Sequence, residues 1–435
     1  MGNYDVVMKR TEWFRKDRFG LFIHWGLYSV AARHEWIKKR EKMTDDEYQK
    51  YFDNFTAEHY VPKEWAKMAK NAGMKYAVLT VKHHEGFCLF DSAYTDYKST
   101  NSPAKRDLVK EFVEAFRAEG LKVGFYYSLP DWHHPDFPHM GDYTHPQYEN
   151  PDYADGNRNF ANYVTYLHDQ VRELCTNYGK IDIFWFDFSY GEMKGEKWEA
   201  SKLVSMMRSL QPHIVLNNRL VGSGGAEGIF SDMDTDPVYA GDFVSPEQYV
   251  PAEGILDCNG REKPWEACIT SQADSWGYVA SNEDFLSAKD VIYMLVDCVS
   301  KNGNLLLNIG PTAKGEFPKA TRDLLKEIGE WMRENGESVY GCGAVDLPQP
   351  EWGRLTGKNG NIYAHIFNKS GYTQVVKGVS PKNVAYALHL EDYSECIIPQ
   401  YEHTNTLGDF ATITCKKANG KEDIDTVIKL VMKQK

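Results

Sequence analysis

Eight short apolar segments alternate with amphipathic helical segments through the first three quarters of the 435-residue chain. Several of these segments are almost continuously hydrophobic, which is typical of parallel strands covered on both faces. The strand candidates are GLFIHW, KYAVLTVKHH, LKVGFYYS, IDIFWFD, HIVLNN, GDFVSPE, EACITSQ and NLLLNIG. The helix candidates include residues 106–119, 157–177, 196–210 and 288–300. This alternation predicts an α/β fold built on a (β/α)8-like (TIM) barrel.

The stretch after the fifth apolar segment and the last hundred residues depart from this pattern. Between HIVLNN and GDFVSPE the chain is rich in glycine and has no helical periodicity, so we expect the barrel to be distorted there. From residue 339 onward, short alternating segments are separated by Gly, Asn, Asp and Pro, which predicts an antiparallel β-sandwich. The predicted domains are a barrel over residues 1–338 and a C-terminal β-sandwich over residues 339–435.

Charge and composition exclude several kinds of partner. The net charge is −12 and no cluster of Lys and Arg interrupts it, so neither nucleic acid nor an anionic membrane surface is an expected partner. No apolar run approaches the roughly 20 residues of a membrane-spanning helix, and the first residues lack the apolar stretch of a signal peptide. The eight cysteines are scattered without a CxxC pair, which indicates reduced thiols and a cytoplasmic location. Nothing in the sequence specifies an oligomeric state.

Polar and aromatic side chains collect where the predicted strands end. Parallel barrel strands present their C-terminal ends on one face, and the active sites of barrel enzymes lie there. The residues at these ends are His24, Trp25, His83, His84, Tyr126, Tyr127, Asp187, Asn217, Asn218, Arg219, Glu247 and Gln272. Such a collection of histidines, carboxylates and an arginine indicates a catalytic or binding site.

Asp187 ends the most hydrophobic strand candidate, IDIFWFD, and directly follows four apolar residues. A carboxylate on the last residue of a rigid buried strand is held in a fixed geometry, which suits a nucleophile or a general base. A structural role, in which Asp187 caps the following turn or pairs with a buried arginine, is an equally good interpretation of this residue taken alone.

The histidines also allow a metal-dependent interpretation, in which His24, His83 and His84 supply three ligands. Adjacent residues on a strand point to opposite faces, so His83 and His84 do not chelate one ion together without a bulge. The chain has no HxH on a predicted strand and no HExxH motif. We therefore expect neither a metal nor another cofactor, and we interpret the histidines as hydrogen-bond donors to the hydroxyl groups of a ligand.

A pair of carboxylates is the other catalytic arrangement that these residues allow. Glycoside hydrolysis uses one carboxylate to attack or to orient, and a second to protonate the leaving oxygen. With Asp187 as the first, the candidates for the second are Glu247, Glu253 and Glu266. Glu247 ends the sixth strand candidate, whereas Glu266 opens the seventh and would lie at the far end of the barrel. Glu253 reaches the site only if its loop folds back.

Several segments, in this order, resemble the α-L-fucosidases of glycoside hydrolase family 29. They are FGLFIHWGLYSV, the pair Glu35–Trp36, VKHHEGFCLFDS, GFYYSLPDW, IDIFWFDFSYG, NNR and GDFVSPEQ. The resemblance implies a barrel followed by a β-sandwich. It also implies that the protein is an exo-acting glycosidase that releases terminal α-L-fucosyl groups from oligosaccharides or glycoconjugates with retention of configuration.

The resemblance further implies roles for individual residues. Asp187 matches the nucleophile, which forms a covalent fucosyl-enzyme. We expect Glu247 to be the acid/base, with Glu266 as the alternative. The positions that match those binding the fucose hydroxyls or positioning the nucleophile are His24, Glu35, Trp36, His83, His84, Tyr127 and Arg219, with Trp185 beside the nucleophile. Phe186 departs from the Asn or Ser that the family often has just before the nucleophile.

Two other classes of protein stay open from the sequence. One is the metal-dependent barrel hydrolase that uses the three histidines. The other is a non-catalytic carbohydrate-binding protein in which the β-sandwich over residues 339–435 binds the sugar. The expected partner in the favoured interpretation is a fucosylated oligosaccharide or glycan.

Overall fold

The computed structural model describes residues 3–138, 143–153, 158–223, 231–368, 373–399, 409–414 and 424–433. The α-helices are α1 Asn3–Arg10, α2 Glu12–Asp17, α3 Tyr28–Ala31, α4 Ile37–Arg40, α5 Asp45–Asp53, α6 Pro62–Asn71, α7 Leu108–Ala118, α8 Phe160–Asn177, α9 Ala200–Leu210, α10 Ala288–Val299 and α11 Lys319–Asn335. The strands are β1 Phe19–Ile23, β2 Tyr76–Lys82, β3 Lys122–Ser128, β4 Ile183–Asp187, β5 Val215–Leu216, β6 Glu266–Thr270, β7 Asn304–Ile309, β8 Gly353–Lys358, β9 Asn361–Ile366, β10 Thr373–Lys377, β11 Val384–His389, β12 Glu395–Cys396, β13 Phe410–Thr414 and β14 Thr426–Met432. Among these helices, none combines the length and the apolar character needed to cross a membrane.

Strands β1 to β7 form one curled parallel sheet in the order β5-β4-β3-β2-β1-β7-β6. Almost every residue of these strands is buried, because one face packs inside the barrel and the other packs against the helices. The parallel register brings the C-terminal ends together, so that Ser128 of β3 lies opposite Asp187 of β4. The predicted α/β, TIM-like barrel is confirmed.

The segment GDFVSPE is where the barrel departs from a regular closed sheet. It forms no strand and lies between β5 and β6 through three isolated bridges. These bridges are Asn217–Phe243, Val244–Trp265 and Glu247–Cys268. The predicted distortion of the barrel is therefore located at the sixth strand candidate, which follows the β6 edge without a continuous hydrogen-bond ladder.

Asp242 joins three elements on this irregular side. One carboxylate oxygen accepts a hydrogen bond from Arg10 of α1 at 2.6 Å. The other accepts from the amide of Leu216 in β5 at 2.8 Å and from Arg208 of α9 at 2.6 Å. Because the Asp242 side chain is only 1% exposed, this ion cluster is shielded from solvent screening and substitutes for part of the missing ladder.

Strands β8 to β14 form two antiparallel sheets after the barrel. The larger has the order β12-β11-β14-β9-β8, and the smaller pairs β10 with β13. Both sheets contribute to one apolar core, in which Leu355 and Ile428 of the larger sheet pack with Val376 and Ile413 of the smaller. The predicted β-sandwich is confirmed, whereas its bounds stay a prediction. Residues 369–372, 400–408, 415–423 and 434–435 of the predicted domain lie outside the described residues.

Candidate active site

A cavity of about 570 Å³ lies at the C-terminal ends of the barrel strands. It brings together both predicted carboxylates, the predicted arginine, the three histidines and two predicted tryptophans. Its lining is Phe22, His24, Trp36, His83, His84, Tyr126, Tyr143, Trp185, Asp187, Phe188, Tyr190, Arg219, Ser223, Glu247, Gln248, Cys268 and Trp276. Aromatic rings and hydrogen-bonding groups in one concave site are typical of a pocket for a small polar ligand.

The backbone around Asp187 is fixed on both sides. The carbonyl of Asp187 accepts a hydrogen bond from the amide of Leu129 at 2.9 Å. The side chain of Asn217 bonds to the amide and the carbonyl of Phe186, at 3.0 and 2.8 Å. Phe188 then has a φ of 79°, a conformation that costs a non-glycine residue about 1–3 kcal/mol. The strand therefore ends abruptly after Asp187 and leaves its carboxylate at the cavity.

Arg219 binds both carboxylates. Its Nη1 donates to Asp187 Oδ1 at 3.1 Å, and its Nη2 donates to Glu247 Oε2 at 2.9 Å. Since the two Nη atoms belong to one rigid guanidinium, the two bonded oxygens lie no more than about 8 Å apart. Burial alone would lower the pKa of Arg219, but the facing carboxylates raise it above its usual range. The guanidinium also lies over the Trp185 ring, 4.8 Å from its centroid.

Glu247 differs from Asp187 in its exposure to solvent. Its side chain is 35% exposed, compared with 15% for Asp187. The next residue, Gln248, has a φ of 62°, so a positive φ follows each of the two carboxylates. A carboxyl group that contacts water while it faces a less exposed carboxylate is suited to exchange protons during a reaction.

Glu266 and Glu253 do not reach this cavity. Glu266 is the first residue of β6, so it lies at the N-terminal end of the barrel, whereas Asp187 is the last residue of β4. The Glu266 side chain is fully buried and accepts a hydrogen bond from the Tyr76 hydroxyl. Glu253 is exposed and lies outside the lining. The alternative acid/base assignment to Glu266 is therefore not supported by its position.

The Nδ1 atoms of two cavity histidines are bonded to the protein. Nδ1 of His24 lies 2.6 Å from the side-chain oxygen of Asn308, and Nδ1 of His84 lies 2.7 Å from Oγ of Ser128, which donates its own proton to a backbone carbonyl. Both histidines therefore donate through Nδ1 and keep Nε2 as an acceptor. Burial lowers the pKa of both rings well below the usual value, with His83 as a second cause. The expectation that these two histidines act as hydrogen-bond donors toward the cavity is therefore corrected, because Nε2 of each ring is left as an acceptor.

Tyr126, and not Tyr127, contacts the predicted nucleophile. The Tyr126 hydroxyl donates to Asp187 Oδ2 at 2.7 Å. The Tyr127 hydroxyl instead donates to Gln170 of α8 at 2.7 Å, outside the barrel interior. Successive side chains on a strand point to opposite faces, so the prediction of Tyr127 is corrected by one residue. Burial and the charge of Asp187 raise the pKa of Tyr126 well above its usual value, which keeps the hydroxyl a donor.

Glu35 lies beside the cavity and not in its lining. It lines a neighbouring groove of about 500 Å³ that shares Trp36 and Trp276 with the cavity. Its Oε2 accepts hydrogen bonds from Ser275 Oγ and from the amides of Trp276 and Gly277, at 2.9, 3.0 and 3.1 Å. The structure therefore assigns Glu35 to holding the loop that carries Trp276, in place of the predicted contact with the sugar.

The sequence did not single out several aromatic lining residues. They are Phe22, Tyr143, Phe188, Tyr190 and Trp276. Phe188 and Tyr190 lie one and three positions after the strand that ends at Asp187, so their position beyond a strand end was an available signal. Trp276 lies in a loop after β6, and nothing in its local sequence predicts that Glu35 holds that loop against the cavity.

Two carboxylates on one arginine, at the C-terminal mouth of a barrel and beside aromatic rings, define the site of a glycoside hydrolase. Among the described residues, no three or more His, Cys, Asp and Glu side chains converge as metal ligands. The alpha-L-fucosidase family model matches residues 3–337, and the chain belongs to the α-L-fucosidase family.

Individual relatives agree with this assignment. The plasma alpha-L-fucosidases of Rattus norvegicus and Homo sapiens are each 31% identical over 351 residues, which is 75% of this chain and 70% and 68% of theirs. Alpha-L-fucosidase isoenzyme 1 from Paenibacillus thiaminolyticus superimposes with a TM-score of 0.93 at 50% identity, over 98% of this chain and 100% of its own. A family 29 fucosidase from Bacteroides thetaiotaomicron, trapped as a covalent intermediate with 2-fluoro-fucosyl fluoride in a Glu-to-Gln mutant, gives 0.83 at 31% identity, over 98% and 96%.

Proposed function

We propose that this protein is a retaining, exo-acting α-L-fucosidase with Asp187 as its nucleophile and Glu247 as its acid/base. The observation that carries the assignment of residues is the shared arginine, which holds both carboxylates at one cavity. Retaining glycosidases place the two carboxyl groups about 5–5.5 Å apart. The bound of about 8 Å set by the guanidinium is compatible with this separation.

In the first step, Asp187 attacks the anomeric carbon while Glu247 protonates the departing oxygen. Asp187 starts ionised, held by Arg219 at Oδ1 and by Tyr126 at Oδ2. Its charge is lost when the covalent bond forms, and Glu247 becomes negative in the same step. Arg219 therefore faces one negative charge before and after the step, so the reaction requires no new counter-charge.

In the second step, Glu247 acts as a base and deprotonates the water that releases the sugar. The partial exposure of its side chain gives that water access from solvent. The Nε2 atoms of His24 and His84 accept hydrogen bonds from sugar hydroxyls, and the aromatic lining provides apolar contact for the methyl group of fucose.

The proposal extends to the physiological substrate and the location. A fucosylated oligosaccharide or glycan is the proposed substrate, and the cytoplasm is the proposed location. The seven cysteines in the described part of the chain are unpaired, which supports a reducing compartment. A panel of fucosylated oligosaccharides of defined linkage, with released fucose as the readout, would identify the linkage that is cleaved.

Chemical rescue tests the two carboxylate roles separately. The wild type should release α-L-fucose first from an aryl α-L-fucoside, as followed by ¹H NMR. Asp187→Ala should be inactive without added nucleophile, and azide should give β-fucosyl azide, because azide then attacks in a single inversion. Glu247→Ala should still react with a fucoside that has a good leaving group, and azide should give the α-fucosyl azide after two inversions.

A matched control and a chelator complete the test. Glu253→Ala removes a nearby exposed carboxylate outside the cavity and should leave all rates unchanged. Treatment of the wild type with a chelator should also leave activity unchanged, whereas a metal-dependent hydrolase would lose it. Normal turnover by Asp187→Ala, or β-L-fucose as the first product of the wild type, would refute the proposal.

A further inference from the structure

Glu85 is a buried carboxylate that the mechanism above does not use. Its side chain is 1% exposed, and neither carboxylate oxygen has a hydrogen-bond partner among the described residues. The nearby Tyr28 hydroxyl is already hydrogen-bonded to Thr80 Oγ1 at 3.3 Å. A buried carboxylate without partners is strongly unfavourable, so its position behind the active site calls for a function.

The group that faces Glu85 is the third cavity histidine. Nδ1 of His83 lies 3.4 Å from Glu85 Oε2, and this Nδ1 also has no hydrogen-bond partner among the described residues. His83 lines the same cavity as Asp187. Two unsatisfied groups of complementary chemistry therefore lie within ion-pair distance of each other, and one of them lines the cavity that contains Asp187 and Glu247.

The other two histidines show what this arrangement does. Nδ1–H of His24 donates a hydrogen bond to the side-chain oxygen of Asn308, and Nδ1–H of His84 donates one to that of Ser128. Nε2 of each ring is left as an acceptor. Glu85 occupies the equivalent position for His83, but it is a carboxylate and not a neutral group. A carboxylate behind an imidazole fixes the tautomer and increases the basicity of the distant ring nitrogen.

We propose that Glu85 is a positioning residue. It accepts a hydrogen bond from Nδ1–H of His83 and so presents His83 Nε2 to one hydroxyl group of the bound sugar. The proposal rests on the proposed function, because the ligand is the fucosyl group. Catalytic hydrogen bonds often reach their shortest length only in the complex with substrate, so the distance of 3.4 Å allows this hydrogen bond to form when the sugar binds. The contact from His83 to the hydroxyl then strengthens in the transition state, as contacts with the 2-hydroxyl group do in glycosidases.

Glu85→Gln tests the part of this role that depends on charge, because it nearly preserves the shape and an acceptor oxygen but removes the carboxylate that increases the basicity of His83 Nε2. The matched control is Asp425→Asn, at a second carboxylate–histidine pair in which Asp425 Oδ2 lies 2.7 Å from Nδ1 of His365, with both side chains fully buried and remote from the cavity. Glu85→Gln should lower kcat/KM for an aryl α-L-fucoside by about tenfold or more, mainly through kcat. Asp425→Asn should lower the melting temperature and leave kcat/KM unchanged.

Deoxygenated substrates identify the hydroxyl group. Wild type and Glu85→Gln are compared on the parent fucoside and on its 2-deoxy, 3-deoxy and 4-deoxy analogues. The loss caused by Glu85→Gln should disappear with one analogue, the one that lacks the hydroxyl bound by His83. An equal loss on every substrate would indicate a merely structural role, and no loss on any substrate would also overturn the proposal.

The ¹⁵N resonances of His83 give a readout that does not depend on activity. In the wild type, Nδ1 should carry the proton and Nε2 should be unprotonated, and the opposite tautomer would overturn the proposal. If the wild type fails to cleave any α-L-fucoside, the proposed function fails instead. The tautomer measurement would still decide whether Glu85 positions His83.

Discussion

Glu266 offers a quantitative test of the barrel interior. Its side chain is fully buried at the N-terminal end of the barrel, hydrogen-bonded by the Tyr76 hydroxyl. Burial raises the pKa of Glu266 from its ordinary 4.5 to about 8, although the contacts with Tyr76 and Trp185 partly offset this effect. The folded protein therefore carries Glu266 as a neutral acid at pH 7, while the unfolded chain carries it as a carboxylate.

The sign and size of the effect follow from this difference in pKa. The folded state binds the Glu266 proton more tightly than the unfolded state does. The contribution of this proton to the free energy of unfolding is therefore complete below about pH 4.5 and is lost as the pH rises toward 8. Each unit of pKa difference corresponds to about 1.4 kcal/mol, so Glu266 should account for a loss of roughly 5 kcal/mol across this window. Glu266→Gln has no proton to lose and should remove that dependence.

Urea denaturation of both proteins at several values between pH 5 and pH 8 measures the effect. The free energy of unfolding of the wild type, relative to that of Glu266→Gln, should fall by about 1 kcal/mol or more per pH unit between pH 5 and 7. Glu253→Gln, at an exposed position, serves as the control and should show a flat difference. A difference between wild type and Glu266→Gln that is independent of pH would refute the neutral, buried state of Glu266.

Further predictions concern the cavity. Arg219→Lys should lower kcat/KM for an aryl α-L-fucoside by about 100-fold, because an ammonium group cannot bridge both carboxylates as the guanidinium does; a change below threefold would contradict this. Tyr126→Phe should lower kcat about tenfold, whereas Tyr127→Phe should preserve kcat and cost about 1 kcal/mol of stability. Steady-state kinetics measures the first effect and thermal melts measure the second. The reverse pattern would contradict the corrected assignment. Glu35→Ala should release the Trp276 loop and raise KM about tenfold, and an unchanged KM would show that the loop holds without it.

The barrel and its principal carboxylate were predictable because they depend on local patterns. Strand candidates with continuous apolar character became β1 to β4, β6 and β7, since such segments are stable only with both faces covered. Asp187 was identified as the carboxylate that directly follows the four apolar residues of the most hydrophobic strand candidate. Arg219 and Glu247 followed from the rule that the strand ends meet on one face of a barrel.

The remaining features depend on information that a linear pattern does not contain. The choice between Tyr126 and Tyr127 depends on which side chains of β3 point into the barrel, and a shift of the strand by one residue exchanges the two. The role of Glu35 depends on a loop more than two hundred residues away, with which it forms hydrogen bonds. The sixth strand candidate has the composition of a strand but forms only isolated bridges, and along β6 its ladder is interrupted at Pro246, which has no amide proton to donate.

The ion cluster around Asp242 links the first helix of the chain to the proposed acid/base. Asp242 is five positions before Glu247 in the same segment, and its partner Arg10 is the last residue of α1. Trimming the chain past Arg10, or fusing a bulky tag close to it, would therefore disturb proton delivery from a distance. Full activity therefore requires an intact α1, even though α1 contributes no atom to the reaction.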